Sequence, residues 1–141
     1  MAIVYDRPVR FEEVDAAGIA FFGRFINWCH DAMEHFFDGI AGGYVDLITK
    51  RRIGFPAVHL TASWKAPLRY GDTVRIETSV VQIGTTSTTF RYVLTRLRSD
   101  AREEAHVATI DHVCVTTNLD TMTKCPLPED CRKLLEAHHQ A

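Results

Sequence analysis

The sequence predicts an α+β domain in which a five-stranded antiparallel sheet wraps around one long central helix, with a second helix at the C-terminus. Two observations carry this prediction. Apolar residues recur at helical spacing from about residue 23 to residue 40, and they cover so much of the circumference that the helix must be buried. From residue 57 to the end of the 110s the apolar period changes to two, which is typical of strands.

The N-terminal part contains a short strand candidate and the long helix. Val9 and Phe11 alternate with charged neighbours, which predicts a strand over 7–12. The helix carries two apolar rows, and a glycine cluster beginning at Gly39 predicts its end. The rows are Phe25, Cys29, Ala32, Phe36 and Ile40, and Phe22, Ile26, Met33 and Phe37. A shorter amphipathic helix is expected over 44–51.

Four β segments and a terminal helix make up the remainder. The segments are predicted at 57–68, 73–83, 87–98 and 104–117. The intervening breaks have turn chemistry, so an antiparallel meander is the simplest arrangement. A final surface helix is expected from Pro128 to His139. No repeat, linker or domain boundary is visible, and residues 1–141 are therefore expected to form a single domain.

Composition limits the classes of function. Of the 141 residues, 46% are apolar and 24% are charged, and the net charge is −2. Such a globular composition without a strong basic excess predicts no nucleic-acid partner. No window approaches the ~20 apolar residues of a membrane helix, and the N-terminus does not read as a secretory signal. We therefore expect a cytoplasmic protein with no membrane partner, in which the four cysteines stay reduced.

One segment resembles the active-site segment of a known family. Residues 11–25, FEEVDAAGIAFFGRF, place an Asp, two small residues and a Gly before an apolar run that enters the buried helix. This order resembles the hot-dog acyl-CoA thioesterases typified by 4-hydroxybenzoyl-CoA thioesterase. The similarity extends to Gly54, Pro56 and the turn APLRYGD at 66–72. It implies a hot-dog fold and hydrolysis of a CoA thioester, 4-hydroxybenzoyl-CoA-like, to the free acid and CoA without a cofactor.

Asp15 and Phe22 are the candidate catalytic residues. Attack on a thioester places negative charge on the carbonyl oxygen, so hydrolysis needs a nucleophile or base and preorganised donors. Asp15 can be the nucleophile or the base, and the start of the long helix has free N–H groups. The resemblance assigns the donor role to the backbone N–H of Phe22, where the family often has Tyr or His. By spacing alone, Asp15 is more typical of a turn residue.

Other residues are assigned to substrate binding or to the surface. Gly18 gives the Asp15 loop its flexibility, and His59 could contact the acyl group, although a structural strand histidine is the more common case. Lys65, Arg69 and Arg91 are candidate cations for the CoA phosphates, because the turn at 84–87 lacks the basic cluster that the family often carries, although each is more typical of solvated surface. Glu12, Glu13 and the helix residues His30 and Asp31 are more typical of solvated surface. His30 and Asp31 can reach an acyl pocket if their helix face opens there.

The seven histidines do not predict a metal site. None of them has the spacing of a helical zinc motif. His106 and His112 are expected on one strand face, six residues apart, which is too far to share an ion. No metal and no other cofactor is therefore expected.

Two other functions stay open, and so does the oligomeric state. A hot-dog hydratase or dehydratase would need an Asp and a His from one helix segment, which the loop at 14–23 does not show. A non-catalytic acyl-CoA-binding module is the other alternative. The sequence does not decide between aromatic and aliphatic acyl groups.

A homodimer or homotetramer is expected. The resemblance implies sites that two subunits build together, and the apolar side chains of Val93 and Leu97 need a partner surface to bury them.

Overall fold

Eight strands and three α-helices follow one another in the computed structural model, which describes residues 1–140. The helices are α1 (Phe22–Phe36), α2 (Gly43–Thr49) and α3 (Glu129–Ala137). The strands are β1 (Ile3–Pro8), β2 (Ile53–Gly54), β3 (Ala57–Trp64), β4 (Thr73–Ile83), β5 (Ser87–Arg96), β6 (Ala105–Val115), β7 (Thr117–Asn118) and β8 (Thr123–Lys124). None of these helices has the length and apolarity needed to cross a membrane.

Five strands form one antiparallel sheet in the order β1, β4, β5, β6, β3. The predicted meander is right for β4, β5 and β6, but it is wrong for β3, which pairs with β6 at the far edge. The segment after β3 does not form a hairpin with that strand. It passes the residues that precede α1 instead, because the Leu68 carbonyl accepts a backbone hydrogen bond from Ala20 at 2.7 Å.

The core lies between α1 and the sheet. One face of α1 is buried, and so are the inward positions of the central strands. These residues include Phe25, Trp28, Ala32, Met33 and Phe36 from the helix, and Val74, Ile76, Phe90, Leu94 and Ile110 from the strands. The expectation that α1 is buried around most of its circumference is wrong at its N-terminal end, where Phe22 is 64% exposed and Ile26 is 45% exposed.

The N-terminal strand is displaced from its prediction. It covers Ile3–Pro8 and pairs with β4, whereas 7–12 was expected from the sequence. The pairing ends at Pro8, and Phe11–Glu13 forms a single 3₁₀ turn. The physical reason is that the Glu13 carboxylate accepts the backbone N–H of Arg10, which bends the chain out of the extended conformation.

A β-bulge separates the two histidines of β6. Thr95 pairs with His106 and Leu94 pairs with Ala108, so Val107 is the additional residue. The insertion moves His106 to the outer face, while His112 points into the core. The expectation that His106 and His112 share one strand face is therefore wrong.

Candidate active site

Asp15 lies in a tight turn immediately before α1. Its backbone N–H donates to Ile19 O at 2.9 Å, and the Gly18 N–H donates to Asp15 O at 2.9 Å. Gly18 has φ +82°, a conformation that glycine adopts without strain. The Asp15 Oδ1 atom accepts the N–H of Ala17 at 2.8 Å. Asp15 is thus a turn residue. Its side chain is exposed, and its Oδ2 atom accepts no hydrogen bond from residues 1–140.

The N-terminus of α1 follows this turn and has no side-chain cap. Phe21 is the N-cap residue, and its own N–H donates to Glu13 O at 2.9 Å. The N–H groups of Phe22 and Gly23 belong to the first turn, where an α-helix offers no acceptor. They lie at the positive end of the helix dipole. This end of α1 can therefore stabilise an oxygen atom that gains negative charge.

An open groove of about 320 Å³ adjoins this helix end. Its lining residues are Ile19, Ala20, Phe22, Phe25, Trp64, Lys65, Ala66, Pro67 and Leu68. The Trp64 ring lies edge-on to Phe22 and Phe25, with centroid distances of 6.3 and 5.8 Å. The groove therefore has an apolar, aromatic wall, and Lys65 is the only charged residue in its lining within the described chain.

Glu13, two residues before Asp15, is buried, so its expected surface position is wrong. Its carboxylate accepts two hydrogen bonds from Arg7 at 3.0 and 2.9 Å and one from Trp28 Nε1 at 2.7 Å. The Arg10 N–H adds a fourth at 2.7 Å. Burial alone raises the pKa of Glu13, but these donors outweigh it and hold the pKa below its usual value. Glu12 is exposed, as expected.

Arg7, Glu13 and Trp28 together form what we call the anchor. Arg7 comes from β1 and Trp28 from α1, and the Arg7 guanidinium lies 4.7 Å from the Trp28 ring centre. The Glu13 carboxylate joins both elements to the segment that carries Asp15. The anchor therefore fixes the start of the Asp15 turn against the helix.

The structure brings some of the predicted site residues together and separates others. Phe22 and Lys65 line the groove. The turn that contains Asp15 and Gly18 adjoins it, because the Asp15 N–H donates to Ile19 of the groove lining. His59 is exposed and lines neither the groove nor the smaller cavity described below, and its role stays a prediction. The guanidinium of Arg91 donates to Asp111 at 2.8 and 2.9 Å, away from the groove, and its role likewise stays a prediction.

The polar face of α1 carries a histidine with two carboxylates. The side-chain ligand atoms of His30, Asp31 and Glu34 lie within 4.8 Å of one another. His30 Nδ1 is 3.3 Å from the Glu34 carboxylate, at the i,i+4 spacing of ordinary helix-surface pairs. His30 and Asp31 are exposed, so the cluster fits solvated helix polarity.

A second, smaller cavity of about 100 Å³ lies between α1 and β3. Its lining residues are Ile26, Cys29, His30, Ala57, Leu60, Tyr92 and His112. His30 therefore does reach a cavity, while Tyr92 and His112 were missed by the sequence analysis. The available signal was strand periodicity, because both residues occupy inward positions of β5 and β6.

Comparisons with known proteins agree with this architecture. The model of the thioesterase-like superfamily matches residues 9–135. The 1,4-dihydroxy-2-naphthoyl-CoA hydrolase of Nostoc punctiforme is 28% identical over 140 residues, which cover 99% of this chain and 90% of the relative. The hydrolase of the same name from Acaryochloris marina is 30% identical over 130 residues, covering 90% of each chain.

Solved structures share the fold. A gentisyl-coenzyme A thioesterase superposes with a TM-score of 0.81 at 31% identity, covering 94% of this chain and 99% of its own. A mutant 4-hydroxybenzoyl CoA thioesterase complexed with 4-hydroxybenzoyl CoA superposes with a TM-score of 0.85 at 22% identity, covering 95% and 98%. These neighbours confirm the predicted hot-dog fold, and the family match shows that this chain belongs to the thioesterase-like superfamily.

Proposed function

We propose that this protein is an acyl-CoA thioesterase that hydrolyses the CoA thioester of an aromatic acid to the free acid and CoA. One observation carries the proposal: the exposed Asp15 carboxylate is held in a turn whose backbone is hydrogen-bonded to Ile19, a lining residue of the apolar groove at the uncapped N-terminus of α1. The relatives support it, since they are named as hydrolases of 1,4-dihydroxy-2-naphthoyl-CoA and as a gentisyl-coenzyme A thioesterase.

The proposed mechanism uses the helix end and the carboxylate together. The Phe22 N–H donates to the thioester carbonyl oxygen and stabilises the charge that develops on it. Asp15 attacks the carbonyl carbon, the CoA thiolate leaves, and the mixed anhydride that forms is hydrolysed by water. In the other route Asp15 removes a proton from a water molecule, which attacks instead. We favour direct attack, because no histidine lies in the loop at 14–23 to act as a better base.

The groove offers separate surfaces to the two parts of the substrate. Phe22, Phe25 and Trp64 provide apolar contact for the group that flanks the thioester. Lys65 supplies a cation for a CoA phosphate. Arg69 lies close by, since its backbone pairs with Ile19 of the groove wall.

We also propose that the protein assembles as a homodimer or homotetramer through β3. This strand is an edge of the sheet, so one side of its backbone has no partner in residues 1–140. Val58 is 61% exposed and Trp64 is 43% exposed. A second copy on this edge would cover both residues and close the groove. Light scattering at micromolar concentration tests the assembly, and a monomer would contradict it.

The cytoplasm is the proposed compartment. The four cysteines are free thiols in the structure, which suits a reducing environment. Burial raises the pKa of Cys114 to about 12. A thiol of this kind is an inert packing group rather than a nucleophile.

A panel of thioesters tests the proposed activity. Release of CoA from 4-hydroxybenzoyl-, gentisyl-, benzoyl- and hexanoyl-CoA is followed with a thiol reagent for the wild type and for Asp15→Asn. We expect hydrolysis of aromatic thioesters by the wild type and loss of most of it in the variant. Crotonyl-CoA is added to detect hydration, which would instead indicate the hydratase alternative. Tight binding without any turnover would indicate an acyl-CoA-binding module.

Single-turnover hydrolysis in ¹⁸O-labelled water tests the favoured route. If Asp15 attacks and water then opens the anhydride on the Asp15 side, the first product acid is unlabelled and the label stays in the protein. Label that appears directly in the product would favour water activation, or opening of the anhydride at the acyl carbon. That result would remove the support for direct attack.

A further inference from the structure

The small cavity lies one helical turn beyond the groove, in the crevice between α1 and β3. On α1, Phe22 lines the groove and Ile26, one helical turn later, lines the cavity. On β3, Trp64 lines the groove and Leu60 lines the cavity. Four residues of helix correspond to a rise of about 6 Å. A group bound by its carbonyl at the N-terminus of α1 can therefore extend its far end into the cavity.

The polar lining of the cavity consists of His30 and a hydrogen-bonded pair. Tyr92 Oη and His112 Nδ1 are 3.0 Å apart. Tyr92 is fully buried, and its hydroxyl has no other partner in residues 1–140. A buried hydroxyl proton without an acceptor is costly. The Tyr92 hydroxyl therefore donates to Nδ1 of His112.

This bond determines which nitrogen of His112 carries the proton. When Nδ1 accepts a hydrogen bond, the neutral imidazole is protonated on Nε2. Burial, and after it the nearby His30, lower the pKa of His112, so the ring is neutral at pH 7. His112 is only 8% exposed, and its Nε2 has no hydrogen-bond partner in residues 1–140. The unpaired N–H donor thus belongs to a residue that lines the cavity, and most of the other lining residues are apolar.

We propose that this cavity receives the ring of an aromatic acyl group and that the Nε2–H of His112 donates a hydrogen bond to an oxygen substituent of that ring. Tyr92 is then a positioning residue, because it holds His112 in the donating tautomer. The proposal rests on the thioesterase function and adds to it the residues that select a hydroxylated ring over an unsubstituted ring or an alkyl chain.

The volume of the cavity and the unpaired N–H of His112 both favour a hydroxylated ring as the ligand. The volume is about 100 Å³, which is less than the ~150 Å³ of an apolar cavity that holds benzene, so the far edge of one ring enters the cavity while the rest of the ring stays in the crevice. The walls contributed by Ile26, Leu60 and Ala57 are apolar. An alkyl chain would fill the space but leave the N–H of His112 unpaired, which costs binding free energy. An oxygen on the ring satisfies that donor.

Substitutions that separate recognition from catalysis test the proposal. We compare kcat/KM for 4-hydroxybenzoyl-, gentisyl- and benzoyl-CoA in His112→Leu, Tyr92→Phe and the control His106→Leu. His106 lies on the same strand but on the outer face. We expect His112→Leu to reduce the preference for the better hydroxylated substrate over benzoyl-CoA about 3- to 10-fold, the contribution of one neutral hydrogen bond. Tyr92→Phe should reduce it less, and His106→Leu should leave it unchanged.

Equal losses on hydroxylated and unsubstituted substrates, or an unchanged preference in folded His112→Leu, would overturn the proposal. If the wild type hydrolyses none of the thioesters, the proposed function is refuted but the binding proposal is not. A binding measurement tests the binding proposal in that case, and also if His112→Leu does not fold. The imidazole NMR signals of wild-type His112 are followed during titration with 4-hydroxybenzoate, gentisate and benzoate. We expect tighter binding of a hydroxylated acid and a shift of the His112 Nε2 signal. Equal affinity for all three without that shift would overturn the proposal.

Discussion

The anchor and the Asp15 turn are two adjacent regions of one segment, and their carboxylates have opposite surroundings. In the anchor, Glu13 is buried and accepts four hydrogen bonds, and its pKa is lowered. In the turn, the Asp15 carboxylate is exposed and accepts one hydrogen bond from the described residues, that of the Ala17 N–H. A buried carboxylate that accepts several hydrogen bonds contributes to the stability of the structure, whereas an exposed carboxylate oxygen that accepts no hydrogen bond is available to a substrate.

The difference indicates how the site can be rigid and reactive at once. The anchor joins β1, the loop and α1, so the backbone that leads into the turn cannot shift without breaking a buried ion pair. The free Oδ2 of Asp15 is therefore carried on a fixed frame. Substitutions in the two regions should have separable effects, on turnover for Asp15 and on stability for Glu13.

The largest effect is expected for Asp15→Asn. The variant keeps the turn hydrogen bond from Ala17 but loses the carboxylate charge, so kcat should fall about 10³-fold. Its free energy of unfolding should stay within ~0.5 kcal/mol of the wild type, because the side chain is exposed. Steady-state kinetics and urea unfolding check the two expectations. Turnover near the wild-type value would refute the role of Asp15.

The next effect is expected for Glu13→Gln. Removal of the charge leaves the buried Arg7 guanidinium unpaired, which should cost ~3 kcal/mol of stability. The matched control is Glu12→Gln, because Glu12 precedes it in the chain and is exposed. The control should change stability by no more than ~0.5 kcal/mol. Equal unfolding curves for both variants would show that the anchor does not stabilise the fold.

Acid should weaken the anchor in a defined pH range. The pKa of Glu13 is lower in the folded protein than in the unfolded chain. Its contribution is therefore fully present above the unfolded pKa of about 4.3 and is lost as the pH falls through the folded pKa. The stability difference between the wild type and Glu13→Gln should shrink below about pH 4.3. A difference that stays constant down to pH 3 would contradict the assignment.

A smaller effect is expected for Gly18→Ala. A Cβ atom there would contact nothing within 4 Å, but φ is +82°, so only backbone strain opposes the change. The cost should be about 1 kcal/mol, with a loss of turnover as the Asp15 turn shifts. Gly71→Ala is the matched control, because Gly71 has φ +95° and equal space. It should lose similar stability and keep its turnover. Equal kinetic losses in both variants would show that the turn geometry is not specific to the reaction.

Local patterns predicted much of the fold and pointed to part of the candidate site. Period-two alternation located β4 at its observed bounds, Thr73–Ile83, and helical periodicity located α1. The order of residues 11–25 drew attention to Asp15 and Phe22. These features depend on neighbours within a few residues, which a single sequence shows directly.

The features that were missed depend on distant contacts. Glu13 is buried because Arg7 and Trp28 reach it from β1 and α1, and alternation within the segment does not show this. β3 joins the far edge of the sheet through pairing with β6, although β4 follows it in the chain. The bulge at Val107 reverses the face of His106 without a local signal. The Tyr92 and His112 pair likewise forms only when β5 and β6 come into register.

The structure of Asp15→Asn with bound 4-hydroxybenzoyl-CoA tests the central claim most directly, because the unhydrolysed thioester shows where its carbonyl binds. If the N-terminus of α1 stabilises the developing charge, the carbonyl oxygen lies about 2.7–3.1 Å from the Phe22 backbone nitrogen. The amide side chain that replaces the Asp15 carboxylate then faces the carbonyl carbon. A thioester bound with its carbonyl away from Phe22, or with that amide turned away from the thioester, would contradict the claim.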